Sequence, residues 1–151
     1  MKFIVDNKVA DVLMSSGWFF NRKINISHYV DALFDKGYFV NESAKEFLKS
    51  MGGLKIKHAS YSNDDLTEEF FVDPLKPVSW LDPRWVSDCY NKIANEEICP
   101  IGVGFSEHMV IFISESGKMY GGYDDYFCLM GDTINKGLKN LFFDRSFYQL
   151  E

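Results

Sequence analysis

Residues 99–130 read CPIGVGFSEHMVIFISESGKMYGGYDDYFCLM. Within this stretch, 99–103, 108–114 and 118–123 are rich in β-branched and aromatic residues, which predicts three strands. Ser114-Glu115-Ser116-Gly117 supplies the hairpin turn between the last two, and Ser106-Glu107-His108 a bend between the first two. Residues 126–130 predict a further short strand after the Asp124-Asp125 loop. Short connections of this kind join antiparallel neighbours.

Upstream, Leu54, Ile56 and His58 alternate with Lys55 and Lys57, the pattern of a half-buried strand. Residues 67–73 predict another, ended by Asp73-Pro74, and 63–69 is the segment best suited to a mobile loop. Asp82-Pro83 is a cap followed by proline at the first helical position. Trp85, Val86, Cys89, Tyr90 and Ile93 then fall on one side of that helix. Three helices precede the strands. Val5, Val9, Val12 and Leu13 form the first stripe; Ser27 caps the second helix, which ends at Gly37; Asn41 caps the third, with Ala44, Phe47, Leu48 and Met51 buried. After Gly131, Thr133 caps a last helix bearing Ile134, Leu138 and Leu141. Helices, then strands, then a helix predict an α+β fold over 1–151: a single domain with a central antiparallel sheet and the C-terminal helix packed on one sheet face.

The 151 residues are 46% apolar and 25% charged, enough to bury a real core. Aromatic residues at 17% exceed what a small core needs, so some rings are expected at a partner surface. The apolar runs are far too short to span a bilayer. Three cysteines without a C-x-x-C pair favour neither a disulfide framework nor structural zinc, and place the protein in the reducing cytoplasm. Charge is unevenly distributed. Residues 1–57 carry nine basic and six acidic side chains, whereas 58–135 carry four basic and fourteen acidic. Such a middle segment serves either solubility or the steering of a basic protein, and it argues against binding nucleic acid.

A search for catalytic chemistry comes back empty. His28, His58 and His108 have no histidine or cysteine partner at a metal-ligand spacing. Neighbouring side chains on an extended chain point to opposite faces, so Ser106-Glu107-His108 is no proton relay. Gly102-x-Gly104 precedes a bend and not a helix, which removes the geometry of a phosphate loop. No cofactor, metal or enzymatic activity is expected.

Several pieces recur together in one known family. Val12-Leu13-Met14-Ser15-Ser16-Gly17-Trp18-Phe19, then Asn21-Arg22, resembles the opening of the SUKH superfamily in its third immunity subfamily. Phe47-Leu48 and Met51-Gly52-Gly53-Leu54 resemble its junction into the sheet. Pro100-Ile101-Gly102, Gly117-Lys118-Met119-Tyr120 and Met130-Gly131 are similar to its C-terminal half. The resemblance covers roughly 9–142 and implies a cytoplasmic antitoxin without catalytic residues, which binds a cognate polymorphic or contact-dependent toxin domain. Many such toxins are nucleases, whose basic clefts an acidic surface complements. The expected contacts are Asp64, Asp65, Glu68 and Glu69 in one loop and Asp124 and Asp125 in another, with Tyr61, Tyr123 and Tyr126 as aromatic anchors. The alternative is an intracellular interaction scaffold on the same fold. Gly17, Trp18 and Arg22 read as determinants of the fold.

Overall fold

Helix α1 (Asn7–Ser15) begins one residue after Asp6, whose carboxylate accepts the Val9 amide and caps it. The computed structural model describes residues 3–59 and 66–151. The second helix, α2 (Ser27–Asp35), starts where expected but is capped differently. Ile26 holds the cap position, and the Asn25 side chain accepts the Ser27 amide instead. Asn41 caps α3 (Glu42–Met51) through the Ala44 amide at 2.8 Å, while its Nδ2 donates to the Ile113 carbonyl. One buried amide thus starts a helix and pins it to the sheet.

Seven strands follow in sequential order, each antiparallel to the next. They are β1 (Lys55–Ala59), β2 (Thr67–Phe71), β3 (Ile98–Gly104), β4 (Met109–Ser114), β5 (Met119–Tyr123), β6 (Tyr126–Gly131) and β7 (Tyr148–Gln149). Between β2 and β3 lie α4 (Leu75–Val78), α5 (Pro83–Trp85), a π-helical turn (Val86–Tyr90) and α6 (Asn91–Ala94). After β6, α7 (Ile134–Lys139) is capped by Thr133 and runs into a second π-helical turn at Asn140–Asp144. The two elements the sequence patterns did not announce are α4 and β7. Each is too short for a period to register.

One sheet face carries Ile56, Phe70, Ile111, Ile113 and Met119, all buried. Helix α3 packs here through Phe47 against Phe70 (6.3 Å between rings), and α7 places Gly137 against Met119. Helix α1 joins them where Asp6 pairs with Lys139 at 3.4 Å. Tyr90, from the π-helical turn, covers part of the second face, stacking on Phe127 at 4.6 Å and meeting Phe112 edge-on at 5.7 Å. Strands β3 and β4 are therefore buried at every residue and do not alternate.

The Gly17-Trp18…Arg22 segment holds this arrangement together. Gly17 takes φ +104, which a side chain would resist, and turns the chain out of α1. Trp18 is then only 2% exposed and donates its indole N–H to Ser50 Oγ at 2.9 Å. Arg22 donates to the carbonyls of Ser50 (2.7 Å) and Gly52 (3.0 Å), satisfying the end of α3. Among the described residues no helix is long and apolar enough to cross a membrane. The thiols of Cys89, Cys99 and Cys128 are free, and burial pushes Cys99 up to about 12 and Cys128 to about 11. Those two are neutral hydrophobes at neutral pH.

Candidate functional site

The part of the second face left open by Tyr90 is a concave surface with two unlike halves. Alternation along β1 and β2 sends Lys55, Lys57 and Glu69 to this side and Ile56, His58, Glu68 and Phe70 to the core side. One half is mixed in charge, with Lys55, Lys57 and, from α4, Lys76 interleaved with Glu69 and Glu107. The other half is a cleft of about 1230 Å³ floored by Val110, Gly122 and Tyr90. A Cβ on Gly122 would stand 2.8 Å from the Tyr90 ring, so only glycine leaves room for the ring to lie on β5.

Trp80, Trp85 and Tyr123 line this cleft and are 54%, 41% and 48% exposed. The sequence pattern sets Trp85 on one side of a helix with Val86, Cys89, Tyr90 and Ile93, and Trp85 is the exposed member of that stripe. Val86 and Tyr90, four positions apart, turn inward across the π-helical turn, while Trp85 stays at the rim. Trp85 still touches Tyr90 edge-on at 6.2 Å. Tyr90 donates its hydroxyl to the Asp124 carbonyl, tying the helical segment to the β5–β6 turn.

That turn is Asp124-Asp125, a two-residue connection closed by the Tyr123–Tyr126 pair. Asp124 adopts φ +48, a left-handed conformation that aspartate tolerates and tight hairpins favour. Asp124, Asp125 and Tyr123 are exposed, Tyr126 is half-buried, and the two tyrosine rings lie 5.3 Å apart. The opposite rim is the β3–β4 turn, where Phe105, Ser106 and Glu107 take φ +51, +58 and +67 in succession. Non-glycine residues held there cost on the order of 1 kcal/mol each. The ion pair from Glu107 to Lys76 (3.1 Å) and the contact of Phe105 with Phe147 (5.9 Å) hold the turn in place.

Four carboxylates face the cleft, but their surroundings differ. Asp82 caps α5 through the Arg84 amide and lies 3.8 Å from Arg84 Nε. Glu107 is paired with Lys76. Asp124 and Asp125 have no ion pair among the described residues, so the uncompensated charge of the cleft sits on this turn. Two further acidic residues of the middle segment have structural partners. Glu96 accepts from the Ser116 amide, the Ser116 hydroxyl and Tyr120, and Asp73 caps α4 through the Leu75 amide.

The other expected contacts are scattered. Tyr61, Asp64 and Asp65 lie outside the described residues. Glu68 and Glu69 do not belong to a loop; they are strand residues of β2 on opposite faces. Glu69 is exposed across from Lys57, and half-buried Glu68 is paired in register with buried His58. The sequence patterns missed Trp80 and Asp82, although two tryptophans flanking an Asp-Pro helix start were a signal for an aromatic rim.

His58 adds a pH dependence to this region. Its Nδ1 lies 3.1 Å from the Ala59 carbonyl, to which Arg145 also donates at 3.2 Å, and Phe142 packs on its ring. Burial holds the imidazole below its ordinary 6.5, outweighing the opposite pull of the Ala59 carbonyl and Glu68. The unfolded chain therefore binds more protons below pH 6.5, and the contribution of neutral His58 is complete above that pH and lost as pH falls. The melting temperature should drop on acidification from pH 7 to pH 5, and His58→Gln should drop less over the same range. Parallel slopes for the two proteins would show that other groups govern the acid limb.

A family model described as SUKH-3 immunity protein matches residues 5–143. The chain belongs to the SUKH-3 immunity protein family. No curated protein and no solved structure matches it significantly. The match runs from α1 to the end of β6, which includes the Trp18 staple and the cleft, and covers nearly all of the C-terminal helical segment. As a SUKH-3 member the chain is assigned to toxin immunity, which makes an exposed aromatic cleft more informative than any catalytic group.

Proposed function

We propose that this protein is a non-enzymatic cytoplasmic antitoxin that binds a cognate toxin domain, a basic nuclease, and blocks it with the acidic half of its concave face. The single observation that supports this best is the unpaired Asp124-Asp125 turn standing among exposed aromatic rings in a member of an immunity family. Aromatic anchors ringed by charge are the composition of an interface hot spot. Acidic groups complement the cationic cleft with which a nuclease holds phosphates. Tyr123 and Tyr126 carry the apolar contact and Asp124 and Asp125 the charge. Glu69, facing Lys57, is assigned no part.

Co-expression with the toxin domain encoded by the neighbouring gene tests the reading. Cells carrying both genes should grow, cells carrying the toxin alone should lose intact nucleic acid, and the two proteins should co-purify. A toxin that kills equally in both strains would reject immunity and favour an interaction scaffold.

A further inference from the structure

We propose that the cleft is a receptor for a single arginine side chain of the bound partner, its guanidinium stacked on the exposed rings and paired with Asp124 and Asp125. The proposal deepens the toxin-docking reading and rests on it for the identity of the partner. The charge is the first reason. Asp82 and Glu107 already face Arg84 and Lys76, whereas Asp124 and Asp125 bring two carboxylates to the rim with no ion pair among the described residues, in a cleft lined by His108 but by no lysine or arginine. A partner cation is the missing complement.

The rings decide which cation. Trp80, Trp85 and Tyr123 are large apolar surfaces held open to solvent in the same cleft. A planar, weakly hydrated guanidinium stacks on such faces while its edge donates to carboxylates, and an ammonium does neither as well. The site is also held in shape. Tyr90 is wedged between β5 and the Trp85 segment and bonded to the Asp124 carbonyl, so the carboxylate turn and the aromatic rim share one support. A rigid receptor loses little entropy when filled.

The three tryptophans offer an internal control, because Trp18 is buried in the core far from solvent while Trp80 and Trp85 stand in the cleft. The probe is the peptide acetyl-Gly-Arg-Gly-amide, titrated into the full chain while the indole N–H resonances are followed. The resonances of Trp80 and Trp85 should move together and that of Trp18 should not. The isosteric citrulline peptide should give no shift, and a lysine peptide should bind several-fold more weakly. Asp124→Asn/Asp125→Asn should weaken the arginine peptide about tenfold, the loss of charge-assisted bonds. Asparagine accepts the left-handed backbone at 124, so this variant should fold as wild type. Absence of a shift, equal shifts from citrulline, or an unchanged affinity in the double variant would each overturn the proposal. Co-expression separates the two readings. Full protection by the double variant overturns the arginine receptor and leaves immunity standing. A wild type that binds the peptide but does not protect overturns immunity and leaves the receptor.

Discussion

Trp18→Ala should lower the melting temperature by on the order of 10 °C, corresponding to roughly 3–5 kcal/mol for an aromatic side chain lost from a packed core. The ring is almost wholly buried, meets Phe20 at 4.8 Å, and anchors the segment after α1 to α3 through its bond to Ser50. Net stabilities of domains this size are themselves only about 5–15 kcal/mol, so the variant sits near the threshold of folding. Protection against the toxin should fall in proportion to the folded fraction and recover on cooling. Thermal melts and binding measured on the same preparation check this. A variant that melts like wild type but no longer binds would make Trp18 a contact residue and would overturn its reading as a staple.

Asp124→Lys/Asp125→Lys should slow association with the toxin domain at least about tenfold at low salt while lowering the melting temperature by only a few degrees, the cost of about 1 kcal/mol for lysine in the left-handed backbone at 124. Both side chains are exposed at a turn tip and form no ion pair among the described residues, so folding makes little use of them. Opposed charges across an interface act mainly on the encounter rate. Raising ionic strength should slow the wild type and narrow the gap between the two proteins, because the Debye length shrinks to about 8 Å at physiological salt. Glu69→Lys is the matched comparison and should have a smaller effect. Glu69 stands across from Lys57 in a half where lysines and glutamates alternate, outside the aromatic cleft, so its reversal perturbs a region already balanced in charge. Equal on-rates for wild type and the double reversal would show that the acidic turn keeps the protein soluble and that the toxin docks elsewhere.

The features legible in the chain are those whose causes lie within a few residues. Asn41, Asp82 and Thr133 each cap a helix with an amide two or three positions on, as their placement before a helical stripe implies. Runs of β-branched and aromatic residues separated by turn signals gave β3 to β6 within a residue or two of their bounds. The family motif was legible for the same reason, and its arginine satisfies the α3 carbonyls that follow from where that helix stops.

The candidate site was legible only in part. Asp124, Asp125 and Tyr123 stand out as an acidic, aromatic turn, but nothing local tells which carboxylates stay uncompensated. Glu107 is neutralised by Lys76, 31 positions away, and Glu68 faces the core because pairing with β1 sets it opposite His58. Period alone sets Trp85 on one side with Val86 and Tyr90, and only the packing of Tyr90 onto the sheet decides that Trp85 is left at the rim. Sequence alone therefore determined the elements other than α4 and β7, their order, the α+β class and the family, since periodicity, capping and turn chemistry act over one to four residues. Only the tertiary structure decided which charges are paired, which rings are exposed and that they meet in one cleft, because those depend on contacts between segments tens of residues apart.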